Sequence, residues 1–180
     1  PPARREPATA PPPAAPDGAL TALAIEIERK FLVHRERLPQ LPEGETIIQG
    51  YIPALNRITV RVRIRAARAW LTLKGAGTGI RRSEFEYEIP LSDARDMLAQ
   101  LCQAGVVEKT RYEILHAGQR WELDIFAGAN AGLLVAELEL PHEDQPFEKP
   151  DWVAEEVSAD PRYSNQALLQ HPWTWWPAIS

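Results

Sequence analysis

Polar and apolar residues alternate along most of the chain with a period of two, the mark of β-strands that keep one face dry and the other wet. The cleanest stretch is 57–65, where Arg57, Thr59, Arg61, Arg63 and Arg65 face one way and Ile58, Val60, Val62 and Ile64 the other. The same rule predicts a strand over 24–33, with Glu26, Glu28 and Lys30 against Ile25, Ile27, Phe31 and Val33. Further strands are predicted at 46–52, at 70–74 with Thr72 and Lys74 on the polar side, and at 82–89 with Glu84, Glu86 and Glu88 on it. Beyond residue 108 the pattern resumes with Lys109, Arg111 and Glu113, then Arg120, Glu122 and Asp124, then Glu137 and Glu139, each set opposed by apolar neighbours. A short segment at 153–158 is a candidate for one strand more. Pro- and Gly-containing stretches at 38–44 and 75–79 read as loops, and Ala117-Gly118-Gln119 as a tight hairpin connection.

The period lengthens to that of a helix in two places. Ser92 is placed as the N-cap of a helix with Met97, Leu98 and Leu101 as its apolar stripe, closed by Gly105. Ser164 is placed as the cap of a second, shorter helix. Trp173, Trp175 and Trp176 are expected to pack onto the domain rather than stand in water. About eight strands, one main helix and short links describe a mostly β, antiparallel domain.

Charge changes this picture. In an open sheet the wet face carries an unplanned mixture, but here cations gather on some strands (Arg57, Arg61, Arg63, Arg65, Lys74, Lys109, Arg111) and carboxylates on others (Glu26, Glu28, Glu84, Glu86, Glu88, Glu122, Asp124, Glu137, Glu139). Two readings follow: a salt-bridged solvated sheet, or a closed barrel lined by charge, its apolar outside covered by helices and the tail. In the second, the cations suit a polyanion such as polyphosphate and the carboxylates suit a hard cation such as Mg²⁺ or Mn²⁺.

Composition narrows the classes. A chain of 180 residues that is 44% hydrophobic can bury one domain's core. A net charge of −5 and interleaved acids exclude a nucleic-acid-gripping surface, and no apolar run is long enough for a membrane span. The single Cys102, in an apolar helical pattern, reads as a buried thiol, and the four histidines lack ligand spacing. Residues 1–21, dominated by Pro and Ala, are expected to be disordered, leaving 22–180 as the folded domain of a cytoplasmic protein, monomer or homodimer.

The charged strands also carry a resemblance. Glu26-Ile27-Glu28-Arg29-Lys30 is similar to the ExExK signature of the CYTH superfamily, the triphosphate tunnel metalloenzymes. Landmarks continue in order with Gln49-Gly50-Tyr51, Arg61-Val62-Arg63, Leu71-Thr72-Leu73-Lys74-Gly75, Glu84 to Glu88, Lys109-Thr110-Arg111-Tyr112, Trp121-Glu122-Leu123-Asp124, Ala136-Glu137-Leu138-Glu139 and Arg162-Tyr163-Ser164-Asn165. The resemblance implies a closed eight-stranded antiparallel β-barrel, a tunnel with a few peripheral helices. It implies phosphate binding by Lys30, Arg61, Arg63, Lys74, Lys109 and Arg111, with Arg82 as an addition. Glu26, Glu28, Asp124, Glu137 and Glu139 would bind Mg²⁺ or Mn²⁺, and Glu26, Glu28 and Lys30 would take part in the chemistry. Glu84, Glu86 and Glu122 would contact substrate or orient the cations. The activity implied is metal-dependent hydrolysis of inorganic triphosphate to pyrophosphate and phosphate. Thiamine triphosphatase, nucleoside triphosphatase, class IV adenylate cyclase and a non-catalytic polyphosphate-binding module stand as alternatives.

Overall fold

The structure, a computed structural model, describes residues 27–55, 58–75, 84–142 and 144–177. Nine strands form one antiparallel sheet: β1 (Ile27–Val33), β2 (Glu45–Ile52), β3 (Thr59–Arg65), β4 (Arg68–Lys74), β5 (Glu84–Ile89), β6 (Val106–His116), β7 (Gln119–Phe126), β8 (Leu134–Leu140) and β9 (Val153–Glu156). Their order across the sheet is β5-β4-β3-β2-β6-β7-β8-β1-β9. The consecutive strands β2 and β3, β3 and β4, β4 and β5, β6 and β7, and β7 and β8 pair antiparallel with one another. The β6–β7 turn is the predicted one, with Ala117 at φ 47° and Gly118 at φ 78°, the pair of positive angles that matches the twist of a two-residue hairpin.

The sheet corrects the expectation of a closed eight-stranded barrel. Among the described residues no pairing joins the end strands β5 and β9, and the strand count is nine. The outer edge of β1, which would have to meet β5 in an eight-stranded ring, is taken by β9, through Phe31↔Glu156 and Val33↔Val153 with a register shift between them. Alternation reports which face a side chain takes and nothing about which edge its backbone bonds. The sheet nonetheless curls: Lys30 of β1 lies near enough to Tyr51 of β2 to act on its phenol although three strands separate them, and Arg65 of β3 reaches Glu113 of β6 at 3.0 Å over β2.

The convex face is apolar. Helix α1 (Leu91–Gln100) packs Ala94, Met97 and Leu98 onto Val62, Ala69 and Ile89. It starts two residues earlier than the Ser92 cap predicted: Pro90 is the N-cap, and Ser92, inside the first turn, bonds to Asp93 instead. On the other half of this face, Phe31, Trp121 and Leu138 are covered by Phe147 and Trp152 from the loop preceding β9. The tail does not cover this face, contrary to expectation. With helix α2 (Asn165–Gln170), capped by Ser164 as predicted, Trp173 and Trp176 pack against Val107, Phe126, Leu133 and Val135. Those positions share the parity of Lys109, Asp124 and Glu137, so the tail seals one end of the concave, charged face. Trp175 departs from its neighbours and stands 66% exposed. No described helix is long and apolar enough to cross a membrane.

Candidate functional site: a cation-lined concave face

Register brings the charged residues together in rows. Lys30 of β1 is the Cα partner of Glu137 on β8, and Glu28 that of Glu139. Arg111 of β6 lies opposite Asp124 of β7, and Arg61 of β3 is flanked by Tyr51 of β2 and Thr72 of β4. Of the residues assigned from sequence, Glu26, Arg57 and Arg82 lie outside the described residues.

The buried centre is an ion-pair lattice. Asp124, without exposed surface, accepts from Arg111 Nε at 2.7 Å and Nη2 at 2.6 Å, and also from Lys109 Nζ. Arg111 donates besides to Glu122 and, at 2.5 Å, to Glu137. Lys30 Nζ donates to Glu137 at 2.5 Å and to Glu28. Burial would disfavour the charged form of each group, and the partners decide the outcome. For Glu137, burial is outweighed by Lys109, Lys30 and Arg111, which hold the carboxyl far below the usual carboxylate range. For Lys30, burial is outweighed by Glu137 and Glu28, and the ammonium sits well above an ordinary lysine. Arg111 is likewise raised, burial yielding to Asp124 and Glu137. For Lys109 burial prevails and the group is lowered despite Asp124. Glu122 is raised, by burial first, against the pull of Arg111.

Nearer the open side, Arg61 Nη2 donates to Thr72 Oγ1 at 3.1 Å and Glu86 at 3.2 Å, and Lys74 pairs with Glu84 at 2.7 Å. Arg63 differs. Among the described residues it is the cation of this face with no carboxylate in salt-bridge range, and its Nε is buried without a partner. Burial, then the nearby Arg61 and Arg111, push its guanidinium down to about 10. The more distant Glu86 opposes them only in part, so the guanidinium is buried without full compensation.

Two side chains escaped the sequence assignment although their segment was singled out. Gln49, fully buried, donates from Nε2 to the Tyr51 hydroxyl at 3.0 Å, and its Oε1 has no partner among the described residues. Burial raises the Tyr51 phenol, against the fields of Arg61, Arg63 and Lys30, which places it among three cations. Their parity with Arg61 and Arg63 was readable from the strand pattern, but an uncharged residue gave no reason to follow it.

Asp124 and Glu137 have their oxygens committed to cations, and Asp124 lies opposite Val135, farther along β8 from Glu139. Both therefore serve as counter-ions to the cations of this face, while Glu28 and Glu139 keep exposed carboxylates. No group of three metal-ligating side chains converges among the described residues. Glu28 and Glu139, Cα partners on the same face and both exposed, supply two carboxylates. That donor set fits Mg²⁺, which commonly takes one or two carboxylates together with substrate phosphates.

Fold and site thus define a class: a curled antiparallel sheet whose concave face, sealed at one end, holds a lattice of cations with capacity left for a polyanion. The CYTH domain profile matches residues 24–167, and the chain belongs to the CYTH family. It is similar to the inorganic triphosphatase of Acetivibrio thermocellus, 46% identical over 82% of this chain and 95% of that one. It is also similar to the inorganic triphosphatase of Nitrosomonas europaea, 40% identical over 79% of this chain and 95% of that one. The crystal structure of the inorganic triphosphatase NE1496 superposes with a TM-score of 0.62 at 38% identity, covering 80% of this chain and 93% of that one.

Proposed function

We propose that this chain hydrolyses inorganic triphosphate to pyrophosphate and phosphate on its concave face, as the names of its relatives state for them. The observation that carries the reading is Arg63, a buried guanidinium held down to about 10 by its cationic neighbours and lacking a described counter-ion. A triphosphate chain supplies the missing charge and can be reached at once by Arg61, Arg63 and Lys74.

The roles divide by burial. Arg61, Arg63, Lys74 and Lys30 grip phosphate oxygens through charge-assisted hydrogen bonds. Arg111 reinforces them, with 9% of its side chain exposed, while Lys109, at 1%, acts through its field. Asp124 and Glu122 hold Arg111 in place. Arg82 and Glu26 keep the roles their motif suggests, phosphate binding and metal binding. Glu28 and Glu139, joined by Glu26, would hold one Mg²⁺ or Mn²⁺. Such an ion supplies charge neutralisation on the phosphate oxygens. Lys30, whose carboxylate partners keep it protonated, stabilises negative charge on the transferring and leaving phosphates and is no base at neutral pH. Orientation of the attacking water falls to Glu26 or Glu28, the carboxylates of the first motif, and Glu28 is in contact with Lys30 and 46% exposed at its side chain.

The test is phosphate release from tripolyphosphate, ATP, thiamine triphosphate and pyrophosphate, each with Mg²⁺, Mn²⁺ or EDTA. The expected outcome is fastest release from tripolyphosphate, abolished by EDTA. Tight binding of tripolyphosphate with no product under any condition would replace the enzyme with a binding module.

A further inference from the structure

Thr72 is the uncharged hydroxyl at the centre of the Arg61 contacts. Its side chain has no exposed surface, which is unusual on the wet face of a strand, and both hydrogen-bonding capacities of its oxygen are used. Oγ1 donates to Glu86 Oε2 at 2.7 Å and accepts from Arg61 Nη2 at 3.1 Å. Glu86 touches the same Nη2 at 3.2 Å, so the three groups close a ring across β3, β4 and β5. Glu86 alone would be a loose tether, because its side chain is 41% exposed and water competes for it, whereas the Arg61 side chain is 11% exposed. Arg61 Nε is buried with no partner among the described residues. Among the described residues the fork is therefore held by one nitrogen, which leaves its other donors for an incoming group.

We propose that Thr72 is a positioning residue for triphosphate binding, and this rests on the reading of the face as a triphosphate site. Its hydroxyl fixes the rotamer of Arg61 and polarises Glu86, so that Arg61 meets the phosphate chain beside Arg63 already oriented. When the anion arrives, Glu86 can release Arg61 without the guanidinium losing its place, because the buried hydroxyl stays attached. Pre-orientation of this kind reduces the side-chain ordering that binding must otherwise impose. An interaction made equally in ground and transition states appears in KM rather than kcat.

The experiment compares wild type, Thr72→Val and Thr72→Ser for tripolyphosphate hydrolysis with Mg²⁺ and for tripolyphosphate binding by calorimetry. Valine keeps the volume and removes the hydroxyl, and serine keeps the hydroxyl and removes a methyl. The expected result for Thr72→Val is a rise of about tenfold in KM and in Kd, with kcat within about twofold, as for loss of uniform binding. Thr72→Ser should return both constants to within about threefold of wild type, since the donor and acceptor are restored. A Thr72→Val protein with wild-type KM and Kd, or a Thr72→Ser protein as impaired as Thr72→Val, overturns the assignment. Thermal melts of the three proteins show whether a loss is one of folding, and a Thr72→Val protein that fails to fold passes the question to Thr72→Ala. Wild type that binds tripolyphosphate without cleaving it overturns the hydrolase reading while the Kd comparison still decides Thr72. Wild type that does not bind it overturns both.

Discussion

Arg63 concentrates the cost of building this site. A basic group held below its ordinary value binds fewer protons folded than unfolded, so its penalty on stability is present at neutral pH and is relieved as pH rises past about 10. Anything that removes the buried charge or pairs it should stabilise the fold. Arg63→Met is therefore expected to raise the melting temperature of the ligand-free protein, while cutting tripolyphosphate affinity at least tenfold, the scale of one lost charge-assisted hydrogen bond. Tripolyphosphate should raise the melting temperature of wild type by mass action and that of Arg63→Met much less. Differential scanning fluorimetry with and without tripolyphosphate reads both effects. A ligand-free variant that melts below wild type would show that Arg63 has a partner that stabilises it. From sequence Arg63 looked identical to Arg61, because both sit two positions apart in one alternating run; only the neighbours on β4 and β5 give Arg61 its partners and, among the described residues, leave Arg63 without a salt bridge.

At the scale of elements, the convex side depends on one close approach. A Cβ at Gly50 of β2 would come within 2.7 Å of Cys102 Sγ and 2.8 Å of its Cβ, just beyond the end of α1. Both residues are held by packing, so the helix must move to admit a methyl group. Gly50→Ala is expected to destabilise by about 1–3 kcal/mol, the usual range for overpacking. Urea unfolding checks it, and Cys102→Ala in the same background should recover part of the loss by making room. The helix itself was legible from Met97, Leu98 and Leu101, and Cys102 as a buried thiol from the same stripe. Its start was displaced from Ser92 to Pro90, a proline at the N-cap that has no backbone N–H to leave without a partner at the helix start. The tail was legible as something that packs and not as something that packs on the concave side, although Phe126 and Val135 carry the same parity as Asp124 and Glu137.

For the whole molecule, the sorted charges make the concave face a source of pH sensitivity. Glu137 is held far below its ordinary value by Lys109, Lys30 and Arg111. A carboxyl depressed in the folded state contributes stability that is present above its unfolded value, near 4.5, and is lost as pH falls through and below that value. Acid should therefore unfold the protein steeply below about pH 4.5, and Glu137→Gln should flatten that dependence while lowering stability at pH 7, where three cations lose a counter-ion. Melting temperature measured from pH 3 to pH 8 tests this; parallel curves for the two proteins would show that Glu137 does not carry the effect.

What the sequence determined by itself is the antiparallel β class, the division of each strand into charged and apolar faces, and the membership of one face in Lys30, Arg61, Arg63, Lys74, Arg111, Glu28, Glu137 and Glu139. Each of these follows from the two-residue repeat of a strand, a property of the backbone that needs no partner to be expressed. Tertiary structure alone decided that β9 rather than β5 lines the edge of β1, that Asp124 is buried among its cationic partners, and that Arg63 has no carboxylate in salt-bridge range among the described residues. Edges are chosen by backbone hydrogen bonds and ion pairs by distances of a few ångströms, and both are set only when strands remote in sequence lie side by side.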